Sequence, residues 1–256
     1  MAESQKKEFK FPTEIIDLPS EGKLYPKDSP LSSGKLEIKY MTTREEDILT
    51  SQNLIKKGVV LDRLLEALIV DKNIVLDDLI LGDKNAVMIA ARILAYGPEY
   101  KCTVPHPDTG ETAEATFNLT DCPFKTLPKD IDLKNGNLFT LKLPASQNTI
   151  QFKLLTGVEE KLIESDIKAN KKIGRQDTDM STRLKRSVVS IDGEEDWNVV
   201  QSYVDNMLSR DSLALRREIN RITPDIDMKQ ETEIGGETVE VAIPLTVEFF
   251  WPKASG

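Results

Sequence analysis

The sequence predicts an α+β fold built from two tandem units, each of which runs from a strand through helices to a β-hairpin. Two observations carry this prediction. A short alternating strand that leads into a capped helix occurs twice, and a Gly-Glu-Thr stretch follows each helical middle at a comparable place. Because both features recur in the same order, an internal duplication explains them better than chance similarity. The predicted division is an extended N-terminal arm over residues 1–33, a first unit over 34–120, a structured connector over 121–147 and a second unit over 148–256.

Each unit begins with a strand that runs directly into a helix. Apolar residues alternate with polar ones at Leu36, Ile38 and Tyr40, and again at Ile150, Phe152 and Leu154. This period of two is typical of a half-buried strand. Thr42 then precedes Glu45 by three residues, and Thr156 precedes Glu159 by the same spacing. Such a spacing is a capping box, in which the hydroxyl and the glutamate satisfy backbone amides at a helix start.

Each unit ends with a long helix and a hairpin. The helices are expected over residues 82–97 and 210–224, with Asp83 and Asp211 as N-terminal caps and with glycine or proline as stop signals. The stretches GETAEATFNL (110–119) and GETVEVAIPL (236–245) align without gaps. Since a glycine-bearing turn joins two strand-like segments in both places, each unit is predicted to close with a β-hairpin.

The N-terminal arm is predicted to be extended, because its prolines and turn residues are incompatible with a helix. It nevertheless carries several large apolar side chains, so it must lie on protein, either on its own first unit or on a partner. We expect it to pack through Phe11, Ile15, Leu18 and Tyr25. The connector, with its prolines and an Asn-Gly turn, is predicted to contain short structured segments.

Residues 99–122 hold both cysteines and the single histidine, which raises the question of a metal site. A structural zinc site needs four ligands, usually close pairs of cysteine or histidine. Cys102 and His106 are suitably spaced, but the turn supplies no second thiol and Cys122 lies beyond the returning strand. A site completed by Asp108 is the alternative. We predict instead a hairpin without metal, held by packing and cross-strand pairs.

The motifs point away from an enzyme and from a cofactor. No glycine-rich phosphate loop is present. With one histidine in the chain, any Ser-His-Asp or Cys-His arrangement would have to use His106, which lies in a proline-flanked turn. The paired acids Glu45 and Glu46 fit the first turn of a helix. We therefore expect no catalytic residue, and an enzyme acting through His106 is retained only as an alternative.

Charge and hydropathy restrict the partners. The net charge of −9 argues against a broad nucleic-acid footprint, which needs many cations to neutralise phosphates. No apolar run approaches the roughly 20 residues of a membrane helix. The first residues are charged and lack the apolar segment of a signal peptide, so we expect a cytosolic protein unless it is packaged.

The end of the sequence is a candidate contact surface. Phe249, Phe250 and Trp251 are consecutive, so a strand would direct their side chains to both of its faces. One face can be buried in the domain, whereas the other would be exposed in a monomer and would mark a partner-binding surface. A strand buried on both faces is the alternative.

Four segments together resemble the T4-type myophage baseplate hub family, which includes hub subunits and hub assembly chaperones. They are LPSEGKLYP (18–26), GKLEIKYMTTREEDIL (34–49), LILGDKNAVMIAARILAYGPEY (79–100) and the terminal FFW. The resemblance implies a non-enzymatic protein of a contractile-tail phage that binds other baseplate or tail proteins, such as hub, spike or tape-measure components. It also implies assembly in the host cytoplasm and residence in the tail baseplate of the virion.

Two alternatives to a resident baseplate protein stay open at this point. A transient assembly chaperone would act on the hub and be absent from the virion. A nucleic-acid-binding regulator of the winged-helix type belongs to another class, because helices followed by a hairpin also occur in winged folds. The net charge of −9 opposes this second alternative.

Overall fold

The computed structural model describes residues 12–172, 174, 178–245 and 247–250. The helices are α1 (Thr43–Thr50), α2 (Gln52–Lys57), α3 (Val60–Leu68), α4 (Leu81–Tyr96), α5 (Gly157–Lys172), α6 (Asp179–Ser187), α7 (Trp197–Asp205) and α8 (Ser209–Ile222). The strands are β1 (Thr13–Asp17), β2 (Lys35–Lys39), β3 (Glu99–Pro105), β4 (Thr112–Asn118), β5 (Phe124–Lys125), β6 (Phe139–Lys142), β7 (Thr149–Phe152), β8 (Val188–Ile191), β9 (Asp225–Ile226), β10 (Lys229–Ile234) and β11 (Glu237–Ala242).

The strands form small antiparallel sheets, which confirms the predicted α+β class. β1 pairs with β2, β3 with β4, β5 with β9 and β10 with β11, while β6, β7 and β8 form a three-stranded sheet. Both predicted hairpins are present, as β3–β4 and as β10–β11. The order of elements is also shared by the two halves: β2 leads through helices to α4 and β3–β4, as β7 leads through helices to α8 and β10–β11.

The two halves also differ in detail. β8 follows α6 and pairs with β7, whereas the corresponding segment after α3 makes only an isolated bridge between Ile38 and Ile69. A short 3-10 helix, Leu76–Asp78, occupies the place that α7 fills in the second half. The superposition of residues 34–120 on 148–250 and the domain boundaries stay predictions.

β1 and β6 precede the residues at which the two units were predicted to begin. β1 lies in the arm and pairs along its length with β2, and β6 lies in the connector and pairs with β7. Leu18-Pro19-Ser20 follows β1, and Leu143-Pro144-Ala145 follows β6. The main-chain amides of Leu18 and Leu143 donate to Gly34 and Asn148 at 2.8 and 2.9 Å. The first strand of each predicted unit is therefore paired with the strand that precedes it in the chain.

Two clusters of buried side chains form the core. The first contains residues of β2, α3, α4, β3 and β4, and it is completed by Ile234, Val241, Phe249 and Phe250 from the far end of the chain. The second surrounds Phe152 and Leu215. Because the hairpin of the second half contributes to the first cluster, that cluster is built from residues of both halves.

The C-terminal aromatic residues correct a prediction. Residues Val247–Phe250 form a 3-10 helix instead of a strand. Phe249 and Phe250 are each 1% exposed, and the Phe249 ring meets the edge of Tyr100 at a centroid distance of 5.0 Å. The expectation of an exposed aromatic face is therefore wrong for these two side chains. Trp251 lies outside the described residues.

Close backbone approaches join the halves. A Cβ placed on Gly82 would lie 1.8 Å from the carbonyl oxygen of Pro224, and a Cβ on Gly157 would lie 2.9 Å from the Cα of Asp77. Real Cβ atoms are not found at such separations from backbone atoms. Glycine is therefore required at both positions by the packing of one half on the other.

Candidate protein-interaction surface

The repeated capping box has the same atomic arrangement in both halves. The Glu45 carboxylate accepts hydrogen bonds from the amide and the hydroxyl of Thr42 at 3.0 and 2.5 Å. Its other oxygen lies 2.7 Å from the ammonium group of Lys39, the last residue of β2. Burial alone would raise the pKa of Glu45, but Lys39 and Thr42 outweigh it and hold that pKa below its usual range.

The second copy repeats these contacts residue for residue. Glu159 accepts from the amide and hydroxyl of Thr156 at 2.9 and 2.5 Å, and its other oxygen lies 2.6 Å from Lys153. Burial opposes ionisation here as well, and the same kinds of partner hold the pKa of Glu159 below its usual range. These acids thus fix a corner between strand and helix.

A buried aspartate fixes the arm to α4. Asp83 is 0% exposed and accepts from the amide and hydroxyl of Ser20 at 2.9 and 2.6 Å, and from the Tyr25 hydroxyl at 2.5 Å. Tyr25 in turn accepts from the amide of Ile80 at 3.1 Å. Burial raises the pKa of Asp83, and these donors offset it only in part. Burial and the nearby Asp83 charge raise the pKa of Tyr25.

Asp211 has the same place in the second half. It accepts from the amides of Ala145 and Ser146 at 2.7 and 3.0 Å, and so fastens the turn after β6 to α8. Burial acts against its ionised form, but these hydrogen bonds outweigh it and lower the pKa of Asp211. In both halves, an acid in the first turn of the long helix positions the turn that follows the first strand.

The outer edge of β1 is the open edge closest to the predicted contact residues. The Tyr40 amide donates to Pro12, and the Leu18 amide donates to Gly34, so the even-numbered residues of β1 face β2. The backbone groups of Thr13, Ile15 and Asp17 therefore point away from β2. Among the described residues, no strand pairs with this edge. The Ile15 side chain is 62% exposed beside it.

The structure places the predicted contact residues in different environments. Leu18 is 1% exposed and packs in the first core cluster, as expected. Tyr25 is partly buried and lines an open cleft of about 540 Å³ between the arm and the connector. Ile15 is 62% exposed and belongs to neither core cluster of the described residues, so its predicted contact with a partner stays a prediction. Phe11 lies outside the described residues.

The histidine organises a turn and bridges the two hairpins. Nδ1 of His106 accepts hydrogen bonds from the amides of Asp108 and Thr109, both at 3.2 Å. Its Nε2 lies 3.6 Å from a carboxylate oxygen of Glu237 at the tip of the β10–β11 hairpin. Because Nδ1 is an acceptor, the ring proton resides on Nε2, directed toward that carboxylate. His106 thereby links hairpins from the two halves.

The two cysteines are buried and unpaired with each other. Cys122 accepts a hydrogen bond from Gln230 of β10 at 3.2 Å, and burial raises the pKa of its thiol. Within the described part of the chain, no group of three or more His, Cys, Asp or Glu residues is arranged to hold a metal ion. The predicted lack of zinc stays a prediction.

Arg92 of α4 connects the chain terminus to the first half. Its guanidinium donates to the carbonyl oxygens of Phe249, Gly97 and Glu99 at 2.7, 2.9 and 3.2 Å. The residue is 3% exposed. The predictions from sequence did not include this residue, because the carbonyl of Phe249 lies 157 positions away.

A second exposed apolar area was missed by the sequence analysis. It lies where α6, α7 and α8 meet, and its exposed members are Met180, Leu208 and Leu213. The predicted internal repeat could have revealed this apolar area. Aligning Asp211 with Asp83 places Leu208 opposite Ile80, which is 2% exposed, whereas Leu208 is 55% exposed.

Comparison with known proteins gives a match to a family model. None of the helices in the described residues is long and apolar enough to cross a membrane. No curated protein and no solved structure matches the chain. The family model described as T4 bacteriophage base plate protein matches residues 11–250, which span most of both predicted units. The chain therefore belongs to the T4 bacteriophage base plate protein family and is a phage baseplate-associated protein.

Proposed function

We propose that the chain is a non-enzymatic protein that binds other tail proteins during assembly of the baseplate hub and stays in the finished baseplate. The observation that carries this proposal is the open outer edge of β1, with Ile15 exposed beside it. The family match supports a structural role in the baseplate. Assembly takes place in the host cytoplasm, and the partners are hub, spike or tape-measure components.

Docking occurs by strand addition. An extended segment of the partner pairs with the outward backbone groups of Thr13, Ile15 and Asp17, and its side chains lie over Ile15. Main-chain hydrogen bonds supply affinity in this mode, while the exposed isoleucine adds an apolar contact that favours one register. Tyr25, which lines the cleft between the arm and the connector, is a second proposed contact of the arm.

The β1–β2 pair is held rigidly before any partner binds. Leu18 is buried under it, and Asp83 fixes the following turn through Ser20 and Tyr25. A preformed edge loses little conformational entropy on association, which favours binding. The buried network therefore supports the binding surface without contacting the partner.

The test uses two substitutions at one position. Ile15→Pro removes the outward amide but leaves the β1–β2 hydrogen bonds, since the amide of residue 15 does not face β2. Ile15→Thr keeps the amide and the strand propensity and is the matched control. We expect the proline variant to be absent from baseplates and the threonine variant to enter them. Equal entry of both variants would contradict docking at this edge.

Residence in the virion is tested separately. Mass spectrometry of purified phage particles, with copy number, should detect the wild-type chain at a fixed number per particle. A chain found only in assembly intermediates would instead be a transient assembly chaperone. The Ile15 variants test docking at the β1 edge in either case, because their incorporation can be measured in assembly intermediates as well as in particles.

A further inference from the structure

Inside the chain, one half already binds a corner of the other half. The segment Leu79–Leu81, which leads into α4, pairs antiparallel with Leu155–Gly157, which leads from β7 into α5. The amide of Leu81 donates to Leu155 at 3.2 Å, and the amide of Gly157 donates to Leu79 at 3.1 Å. Ile80, between these bonds, is 2% exposed. A face of the first half thus accepts a strand-to-helix corner.

The second half contains the same face. The amide of Leu79 donates to Leu76, and in the same way the amide of Met207 donates to Val204. Asp83 and Asp211 follow these segments at the same distance. Met207–Ser209 is therefore the counterpart of Leu79–Leu81, and we call it the terminal face.

The terminal face is uncovered. Leu208 is 55% exposed, although its counterpart Ile80 is almost fully buried. Among the residues that the structure describes, neither the carbonyl oxygen of Met207 nor the amide of Ser209 has a hydrogen-bond partner. These are the groups that would pair with an incoming corner, as Leu79 and Leu81 do in the first half. The face thus combines an exposed apolar side chain with a free donor and a free acceptor.

We infer that the terminal face binds a strand-to-helix corner of another baseplate or tail protein, one that carries glycine as its first helical residue. This inference rests on the proposed function for the nature of the partner. Its geometry rests on the internal contact, where Leu155–Gly157 shows how such a corner is seated. The partner pairs with Met207 and Ser209 and covers Leu208.

A second copy of this chain does not fit the terminal face. Its own free corner is Met41–Thr43, and Thr43 stands where the internal contact has Gly157. A Cβ at that place meets backbone at 2.9 Å. Arg210 also stands where the first half has Gly82, at which a Cβ would lie 1.8 Å from an opposing carbonyl oxygen. The partner therefore approaches with its corner alone, without a segment like that around Pro224.

Charge acts in the same direction. In the internal contact, Lys161 of α5 lies 2.6 Å from Asp77 and 3.3 Å from Asp62. In the free corner of this chain, Asp47 takes the place of Lys161, and it would approach Asp205, the counterpart of Asp77, which lies 2.6 Å from Lys185. Two acids in contact repel each other. A partner corner with a basic residue four positions after its glycine would instead add to the pairing.

The first experiment removes one hydrogen-bond donor from the terminal face. Ser209 is the first residue of α8 and Leu208 has φ −59° and ψ 139°, a conformation that suits the residue before proline. Ser209→Pro thus removes the amide and preserves α8, and Ser209→Ala, which keeps the amide, is the control. We expect at least about tenfold less of the proline variant per particle, the effect of one lost hydrogen bond of about 1.4 kcal/mol. Equal incorporation of the two variants would overturn the inference.

The Ser209→Pro experiment separates failure of the inference from failure of the proposed function. If Ser209→Pro enters particles like the wild type, the terminal face is not used, while the proposed role in hub assembly is unaffected. If the wild-type chain is found neither in particles nor in assembly intermediates, the proposed function fails and the inference fails with it.

The second experiment needs no partner. Thr43→Gly, Asp47→Lys and Arg210→Gly together give the free corner and the terminal face the features of the internal contact. We expect this triple variant to self-associate head to tail in sedimentation velocity, and Ser209→Pro added to it to restore the monomer. A folded triple variant that stays monomeric, or a wild-type chain that already associates through a contact sensitive to Ser209→Pro, would overturn the inference.

Discussion

Replacing Asp83 with alanine should destabilise the protein much more than the same change at Asp211. Asp83 accepts from three donors of the arm, and its partner Ser20 is 0% exposed. Deleting the carboxylate leaves the amide and hydroxyl of Ser20 buried without an acceptor. Asp211 is 0% exposed as well, but it accepts from two backbone amides, and one of them belongs to Ala145, a residue on the surface.

The magnitudes follow from these environments. A hydrogen bond to a charged group contributes about 1.5–3 kcal/mol, so the simple sum at Asp83 exceeds about 4.5 kcal/mol. The buried carboxylate is itself poorly solvated, as its raised pKa indicates, and its removal relieves that penalty. We therefore expect about 3 kcal/mol for Asp83→Ala. For Asp211→Ala we expect about 1 kcal/mol, since water replaces the lost acceptor for one of the two amides.

Urea unfolding followed by far-ultraviolet circular dichroism measures both changes. With a slope of about 3 kcal/mol per molar, the Asp83 variant should unfold roughly 1 M earlier than the wild type and the Asp211 variant about 0.3 M earlier. Ser20→Ala should shift the urea midpoint by part of the amount expected for Asp83→Ala. An Asp211 variant as unstable as the Asp83 variant, or an Asp83 variant within 1 kcal/mol of the wild type by this assay, would refute the reasoning.

Three further outcomes are expected. Gly82→Ala should lower the free energy of unfolding by more than about 3 kcal/mol in the same urea assay, because its Cβ would overlap the Pro224 carbonyl. Folding lowers the pKa values of Glu45 and Glu159. Their contribution to the free energy of unfolding is therefore complete above the ordinary pKa near 4.3 and is lost as the pH falls through the folded values. Replacing both residues with glutamine should make the free energy of unfolding depend less on pH below about 5. Arg92→Lys should lower thermal stability, because an ammonium group cannot reach three separately placed carbonyls as a guanidinium does.

Local signals explain what was predictable from the sequence. The capping boxes at Thr42 and Thr156 and both hairpins are specified by residues close together in the chain, and the structure contains each of them. The prediction that Asp83 and Asp211 are the N-caps of the long helices is wrong, because Ile80 and Leu208 occupy the N-cap positions and both acids lie in the first helical turn. The similarity of Leu-Pro-Ser and Leu-Pro-Ala, which follow β1 and β6, was not predicted, because these are short matches whose meaning depends on the acid that binds them more than 60 positions later.

Long-range packing explains what was not predictable. An aromatic run has the same composition whether it faces a partner or its own core, and only the tertiary fold decides between them. Phe249 is buried because the chain returns to α4 and Tyr100 after the second hairpin. The exposure of Leu208 is likewise a tertiary property, since Ile80 at the same place in the repeat is buried by the other half.

The return of the chain to its first half has a consequence for assembly. The core cluster beneath β1 and β2 contains Leu18 and Leu36, and the same cluster contains Phe249 and Phe250. Burial of two phenylalanine side chains is worth about 3–6 kcal/mol, a large fraction of the stability of an ordinary domain. The β1 edge thus rests on a core that is complete only once Phe249 and Phe250 have packed, so the edge proposed for docking becomes rigid when this segment has returned to α4.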